Sequence, residues 1–182
     1  MIGYALCGSF CTHARALDTL RCLRARGHEI RPIVSDIVSR YDTRFGRAGD
    51  LLNELAQICG RDVIRTVVEA EPLGPKEELD LLIIAPCTGN TLAKLACGIT
   101  DTTVTMAAKA QLRADRPILL GLASNDALSA NLQNIAALHM HRHITFAPMA
   151  MDDKTGKPYS LVCDFTAIPD LAESILKSRQ HR

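Results

Sequence analysis

The sequence predicts an α/β protein of the Rossmann-like type, a three-layer sandwich in which a mostly parallel sheet is covered by helices on both faces. Short apolar runs alternate with segments whose apolar residues recur at helical spacing. Two of the runs, 81–86 and 117–123, are apolar at almost every position, as in strands buried on both faces. No linker rich in glycine and serine divides the chain, so we expect one domain over residues 1–182.

The first third of the chain predicts two strands, each followed by a helix. Strands are predicted over 2–7 and 29–35, helices over 13–27 and 48–60, and a loop over the mixed segment 35–46. Gly27 can end the first helix, because glycine adopts the left-handed conformation that closes helices. Pro32 argues against a central position for the second strand, since proline cannot donate to a sheet.

The rest of the chain continues the alternation of strands and helices. Strands are predicted over 81–86, 117–123 and 144–148, and helices over 91–98, 102–113, 128–141 and 168–180. The segment 62–80 contains two turns at prolines and at most a short strand. The segment 151–160 is too polar for the core, so we expect either a surface loop or a flap that closes over a ligand.

Composition excludes several classes of function. A net charge of +1 gives no electrostatic reason to bind nucleic acid or an anionic membrane, and 4% aromatic residues leave few side chains for stacking on bases. No apolar run reaches the roughly 18 residues that a membrane helix needs, and the N-terminus is interpreted as a strand, not a signal peptide. Seven scattered cysteines without a CxxC motif predict neither disulfides nor zinc, so a reducing cytoplasm is the expected setting.

Small, hydroxylated and amide residues follow the first four predicted strands. Because open α/β sheets bind ligands beyond the carboxyl ends of their strands, we expect these residues to form a ligand site. The candidates are Gly8, Ser9, Cys11, Thr12 and His13 after the first strand, Ser35 after the second, Pro86, Thr88, Gly89, Asn90 and Thr91 after the third, and Ala123, Ser124 and Asn125 after the fourth.

The loop that begins at Gly8 is typical of a phosphate site. Glycine lets the backbone approach an anion, the Ser9 hydroxyl can donate to it, and the next helix offers free N–H groups. The loop has neither a GxGxxG nor a GxxxxGK[ST] pattern, which favours a mononucleotide over a dinucleotide or a triphosphate. The alternative is that these serines and threonines only cap helices.

The six residues Pro86-Cys87-Thr88-Gly89-Asn90-Thr91 resemble the PASANT motif of the homo-oligomeric flavin-containing cysteine decarboxylase family. The continuation TLAKLACGITD resembles the TIAKxAxGIxD of that family at identical spacing. The resemblance implies FMN bound between subunits, with its phosphate near the loop after the first strand, and it includes Phe45 among the cofactor contacts. It also implies a homo-oligomer built from trimers.

Two motifs of these decarboxylases are changed in this chain. Their PxMNxxM reads Leu122-Ala123-Ser124-Asn125-Asp126-Ala127-Leu128, which keeps only the asparagine, and the region 70–74 lacks their catalytic histidine. These changes argue against decarboxylase chemistry, whereas the flavin site itself is expected to remain. Decarboxylation of a peptidyl or pantothenoyl cysteine is one alternative, and a non-catalytic partner subunit without flavin is another.

Further short segments resemble one branch of the same family, the B subunits of a two-component oxidoreductase. These segments are NTLAK, AEPLGPK, SNDAL and TRFG. The resemblance implies action beside an NADP-binding A subunit, forming pyridine-2,6-dicarboxylate from its dihydro precursor during sporulation. Arg44 and Lys109 are the candidate cations for such a dicarboxylate, because a guanidinium fork or an ammonium group pairs with carboxylates. His139 and His143 could share a helix face, but no carboxylate or cysteine accompanies them, so we expect no metal site.

Overall fold

The computed structural model describes residues 1–73 and 78–180. The strands are β1 (Ile2–Leu6), β2 (Ile30–Val34), β3 (Leu81–Cys87), β4 (Ile118–Ser124), β5 (Ile144–Phe146), β6 (Met149–Asp153) and β7 (Lys157–Cys163). The helices are α1 (His13–Ala25), α2 (Asp36–Arg40), α3 (Ala48–Cys59), α4 (Val67–Ala70), α5 (Gly89–Ala96), α6 (Thr103–Arg113), α7 (Leu132–His139) and α8 (Ile168–Gln180).

Five strands are parallel and run in the order β2-β1-β3-β4-β5. Ile2 of β1 lies between Ile30 of β2 and Leu81 of β3, so the chain changes direction across the sheet between β1 and β3. On the side of β4 that faces away from β3, β5 pairs with the first half of β4. β7 pairs antiparallel with its last two residues, and β6 pairs with β7. The mostly parallel sheet predicted from the sequence is confirmed.

The sheet separates two hydrophobic cores, because successive side chains of a strand point to opposite faces. Leu81 and Ile83 of β3 pack into one core with α1, α3 and α8, while Leu82 and Ile84 pack into the other with α4 to α7. The first core also contains the phenol of Tyr4, which donates a hydrogen bond to the carbonyl oxygen of Ala16 at 3.1 Å. The three-layer sandwich is therefore confirmed.

Two corrections concern the connection between β2 and β3. The predicted loop 35–46 contains α2, which at five residues is too short to show a helical repeat in the sequence. Within 62–80, Ile64 forms a single bridge to Ile33, and α4 follows, capped by reciprocal bonds between Thr66 and Glu69. Residues 74–77 of this segment lie outside the described part. Pro32 lies in β2, which is the edge strand of the parallel sheet, and proline is tolerated in edge strands.

The predicted loop or flap at 151–160 is a β-hairpin formed by β6 and β7. The N–H groups of Thr155 and Gly156 donate to Asp153 Oδ1 at 3.1 and 2.9 Å, which closes the turn and lowers the pKa of Asp153. Most side chains of the hairpin are exposed. The sequence therefore lacks the apolar alternation by which strands are recognised.

Two predicted helices begin at different residues. The helix expected over 91–98 begins at Gly89. The helix expected over 128–141 begins at Leu132, because the chain first turns around the carbonyl oxygen of Asp126, which accepts the N–H groups of Ser129 and Asn131. In the described ranges, none of the helices has the length and apolar character needed to cross a membrane.

The centre of β4 leaves no room for a side chain at Gly121. A Cβ atom there would lie 2.7 Å from Ala85 Cβ and 3.0 Å from Cys163 Sγ. We therefore expect Gly121→Ala to lower the free energy of unfolding by about 1–3 kcal/mol through overpacking. Gly49→Ala on α3, where a Cβ would meet open space, is the matched control and should raise it by about 0.4–1 kcal/mol. Urea denaturation measures both, and equal effects of the two substitutions would contradict this packing.

Candidate functional site

A cleft of about 670 Å³ opens beyond the carboxyl ends of β1, β3 and β4. It lies at the point where the strand order changes direction, the place at which open α/β sheets bind ligands. The cleft brings together predicted residues from three loops: Gly8, Ser9, Cys11, Thr12, Thr88, Gly89, Asn90, Ala123, Ser124 and Asn125.

The loop after β1 turns tightly toward the cleft. The N–H group of Cys7 donates to the carbonyl oxygen of Pro86 at 3.1 Å, so the ends of β1 and β3 are joined. A short 3-10 turn over Phe10–Thr12 leads directly into α1, and the Thr12 hydroxyl donates to the carbonyl oxygen of Ser9 at 2.8 Å. The N-terminal end of α1 is thereby placed beside the cleft.

The loop after β3 is capped by Thr88. Its hydroxyl accepts the N–H group of Thr91 at 3.3 Å, which makes Thr88 the N-cap of α5. The Thr91 side chain is buried and contacts Cys7 Sγ at 3.3 Å, so it faces the interior rather than the cleft. Asn90 is exposed, and its amide has no hydrogen-bond partner among the described residues.

Four backbone N–H groups at the cleft donate to no acceptor in the described chain: those of Gly8, Ser9, Gly89 and Asn90. Two belong to the start of α5, where N–H groups have no partner within the helix. Converging N–H groups and the positive ends of two helix dipoles form a site suited to an oxyanion.

A hydrogen-bonded network fixes the loop after β4. The Asp126 carboxylate accepts bonds from the Ser124 hydroxyl and from Asn131 Nδ2, the latter at 2.8 Å. A Cβ atom on Gly89 would lie 2.5 Å from Ser124 Oγ and 2.6 Å from Asn131 Nδ2. Glycine at position 89 therefore allows the start of α5 to pack directly against this network.

The fourth wall of the cleft was expected only as one of two alternatives, a flap over 151–160, and none of its side chains was predicted as a site residue. It comes from the hairpin, where Lys157 Nζ donates to Asp152 Oδ2 at 3.1 Å, an interaction that raises the pKa of Lys157. Arg15 of α1 also lines the cleft. The missed lining residues are Arg15, Asp126, Asp152, Lys157, Ser160 and Val162. A cation at the start of a helix was a sequence signal for Arg15, whereas for the hairpin the only signal was the polar character of 151–160.

A second groove of about 310 Å³ adjoins the cleft and shares Cys11 with it. Phe10, Tyr41 and Phe45 contribute aromatic rings to this groove. His13 also lines it, and its Nε2 atom lies 2.8 Å from the carbonyl oxygen of Cys7. Burial lowers the pKa of His13, which favours a neutral imidazole that donates to this carbonyl.

The remaining predicted residues lie elsewhere. Ser35 is buried at the end of β2, and its hydroxyl has no partner in the described structure. Pro86 is inside β3, where its carbonyl accepts from Cys7. The Arg44 guanidinium stacks over the Phe45 ring at 4.8 Å, but Arg44 itself does not line the second groove. Lys109 lies on α6 and lines a separate groove between α4 and α6.

The cysteines fall into buried and exposed groups, and all seven are free thiols. Burial raises the pKa of Cys7 and Cys59 to about 11 and that of Cys163 to about 12, and it also raises the pKa of Cys87. Cys11 and Cys97 are exposed. Within residues 1–73 and 78–180, no three His, Cys, Asp or Glu side chains are grouped to hold a metal ion.

Comparison with known proteins gives three findings. The chain matches the sequence model of a protein family described as Flavoprotein over residues 1–177. It is 40% identical to the B subunit of dipicolinate synthase from Bacillus subtilis (strain 168), over 98% of this chain and 90% of that one. The crystal structure of the B subunit of dipicolinate synthase from Bacillus halodurans C superposes with a TM-score of 0.88 at 39% identity, over 97% of this chain and 90% of that chain.

A more distant structure has the same fold. The dodecameric FMN-dependent Ubix-like decarboxylase from Escherichia coli O157:H7 superposes with a TM-score of 0.64 at 20% identity. The match covers 81% of this chain and 80% of that chain.

Thr88 and Asn90 are expected to differ in their effect on stability. Thr88→Ala removes the N-cap of α5 and should lower the free energy of unfolding of the ligand-free protein by about 0.5–2 kcal/mol. Asn90→Ala removes an exposed, unbonded amide and should change it by less than about 0.5 kcal/mol. Urea denaturation of both variants decides this. A loss for Asn90→Ala as large as that for Thr88→Ala would mean that Asn90 is a cap.

Proposed function

The chain belongs to the Flavoprotein family, and from this premise we propose that it is the FMN-binding B subunit of a dipicolinate synthase. It would act beside an NADP-dependent A subunit of the same enzyme to form dipicolinate (pyridine-2,6-dicarboxylate) from dihydrodipicolinate during sporulation. The observation that carries this proposal is the similarity to two such B subunits over almost the entire chain.

The cleft fits the phosphate of FMN. Gly8, Ser9, Gly89 and Asn90 line it and have free N–H groups, and these donors suit a single phosphate. The bound group would be held by backbone donors and by the two helix dipoles, with no lysine-containing triphosphate loop. The first-strand loop and the PASANT-like loop would thus bind the same phosphate from two sides.

The adjoining groove fits a flat ring. It begins at Cys11, where the cleft ends, and its walls carry Phe10, Tyr41 and Phe45. Aromatic walls with a few polar groups are typical of sites for planar cofactors. When bound, FMN supplies a ring that accepts and donates electrons, and the chain would orient it and exclude water from one face.

We further propose a homo-oligomer built from trimers. The side chains of Tyr41 and Phe45 are 61% and 53% exposed, so one face of a ring bound beside them would remain open to water. A neighbouring copy is an economical cover for that face. The dodecameric assembly of the distant decarboxylase is consistent with this arrangement.

The seven free cysteines support a reducing compartment, and we propose the cytoplasm.

Cysteine decarboxylation is not favoured by the geometry, because the described part of 70–74 has no histidine and His13 is bonded to a backbone carbonyl.

Cofactor titration tests the proposal. We expect the protein to bind FMN more tightly than FAD or NAD, because the cleft offers donors for a single phosphate. Asn90→Ala removes the side-chain amide and keeps the backbone N–H group. It should weaken FMN binding several-fold, as expected for the loss of one side-chain hydrogen bond of about 0.5–1.5 kcal/mol. Quenching of flavin fluorescence measures both, and Asn53→Ala on the exposed face of α3 is the control.

Tighter binding of FAD than of FMN would overturn the mononucleotide assignment. A complete absence of flavin binding would favour the alternative of a partner subunit that has lost its flavin. If Asn53→Ala weakened FMN binding as much as Asn90→Ala, the role assigned to Asn90 would be wrong.

A further inference from the structure

Two cationic side chains line the cleft, and they come from different elements. Arg15 belongs to α1 and Lys157 to β7. Neither is needed for a phosphate that backbone N–H groups can bind. Asp126 and Asp152 line the same cleft, so the two cations can take part in ligand binding only through donors that these carboxylates leave free.

Arg15 occupies an unfavourable position for a cation. It lies in the first turn of α1, where the helix dipole disfavours positive charge. No carboxylate pairs with it in the described structure. Its guanidinium stacks over the buried ring of Phe165 at 5.4 Å, which limits its orientations. An oriented guanidinium with free donors beside a cleft is suited to bind a carboxylate.

The strand that carries Lys157 is attached to the cleft by backbone contacts. β7 pairs with the end of β4, and the carbonyl oxygen of Tyr159 accepts the N–H group of Leu128 at 3.0 Å. The ammonium group has three donors, of which the bond to Asp152 uses one. The same bond raises the pKa of Lys157, whose ammonium group is already charged at neutral pH without this shift.

The carboxylates of the cleft are already bonded. Asp126 accepts from Ser124 and Asn131, and Asp152 accepts from Lys157. The free donors of Arg15 and Lys157 therefore remain for a ligand. We propose that Arg15 and Lys157 bind the two carboxylates of a pyridine dicarboxylate in this cleft. The identity of this ligand rests on the proposed function.

Calorimetric titration of the FMN-loaded protein with pyridine-2,6-dicarboxylate tests the proposal. Arg15→Ala and Lys157→Ala should each lower the affinity about tenfold or more, as expected for the loss of a charge-assisted bond. The preference for the diacid over pyridine-2-carboxylate should shrink in each variant. Unchanged diacid affinity in both variants would overturn the proposal.

Matched controls come from the same elements. Arg21→Ala on α1 removes an exposed arginine that pairs with Asp18 and Glu54, and Lys154→Ala removes an exposed lysine in the hairpin turn. Both should leave diacid affinity unchanged. An effect of Arg21→Ala or Lys154→Ala as large as those of the cleft variants would indicate a general charge effect and overturn the proposal.

Asp152→Asn separates ligand binding from a structural ion pair. If Lys157 binds the ligand, this substitution removes a competing negative charge and keeps or increases diacid affinity. If the pair only stabilises the hairpin, Asp152→Asn and Lys157→Ala should weaken binding equally, which would refute the role of Lys157.

FMN affinity is measured in the same variants. A loss of FMN affinity with unchanged diacid affinity would assign the cations to the phosphate and overturn the proposal. If the wild-type protein bound no FMN, the proposed cofactor would be wrong, and diacid titration of the flavin-free variants would still decide the role of Arg15 and Lys157.

Discussion

The parallel pairing of β1 with β3 is the constraint on which the site depends. Both strands are buried on both faces, so their positions are set by the two cores rather than by the loops. The bond from Cys7 N–H to the carbonyl oxygen of Pro86 joins their carboxyl ends. The helices α1 and α5 must therefore begin side by side, and their free N–H groups converge on one cleft.

The remaining walls of the cleft are attached to this centre by β4. Its last two residues pair with β7, which holds the hairpin over the cleft, and its following loop is fixed by Asp126. Gly89 lets the start of α5 pack directly against this loop, because any side chain at this position would collide with Ser124 and Asn131. Substitutions that disturb this packing are therefore expected to alter ligand binding as well as stability.

The parallel sheet and much of the cleft could be predicted because fully apolar runs mark buried strands, and ligand sites follow their carboxyl ends. The strands of the hairpin could not, since they show no regular apolar alternation and Asp152 and Lys157 lie in their exposed parts. Sequence spacing also could not show that Thr91 faces Cys7, or that Lys109 faces a different groove. Both depend on the rotation of a helix about its axis, which is set by tertiary packing.

The alkylation rate of Cys11, followed by peptide mass spectrometry with and without FMN, tests most directly whether a mononucleotide occupies this cleft. Cys11 is exposed and lies where the cleft meets the aromatic groove, whereas exposed Cys97 lies at the end of α5 and lines neither. The buried thiols, with raised pKa values, should react slowly in both states. We expect FMN to slow alkylation of Cys11 and to leave Cys97 unchanged. Equal rates for Cys11 with and without saturating FMN would contradict the site.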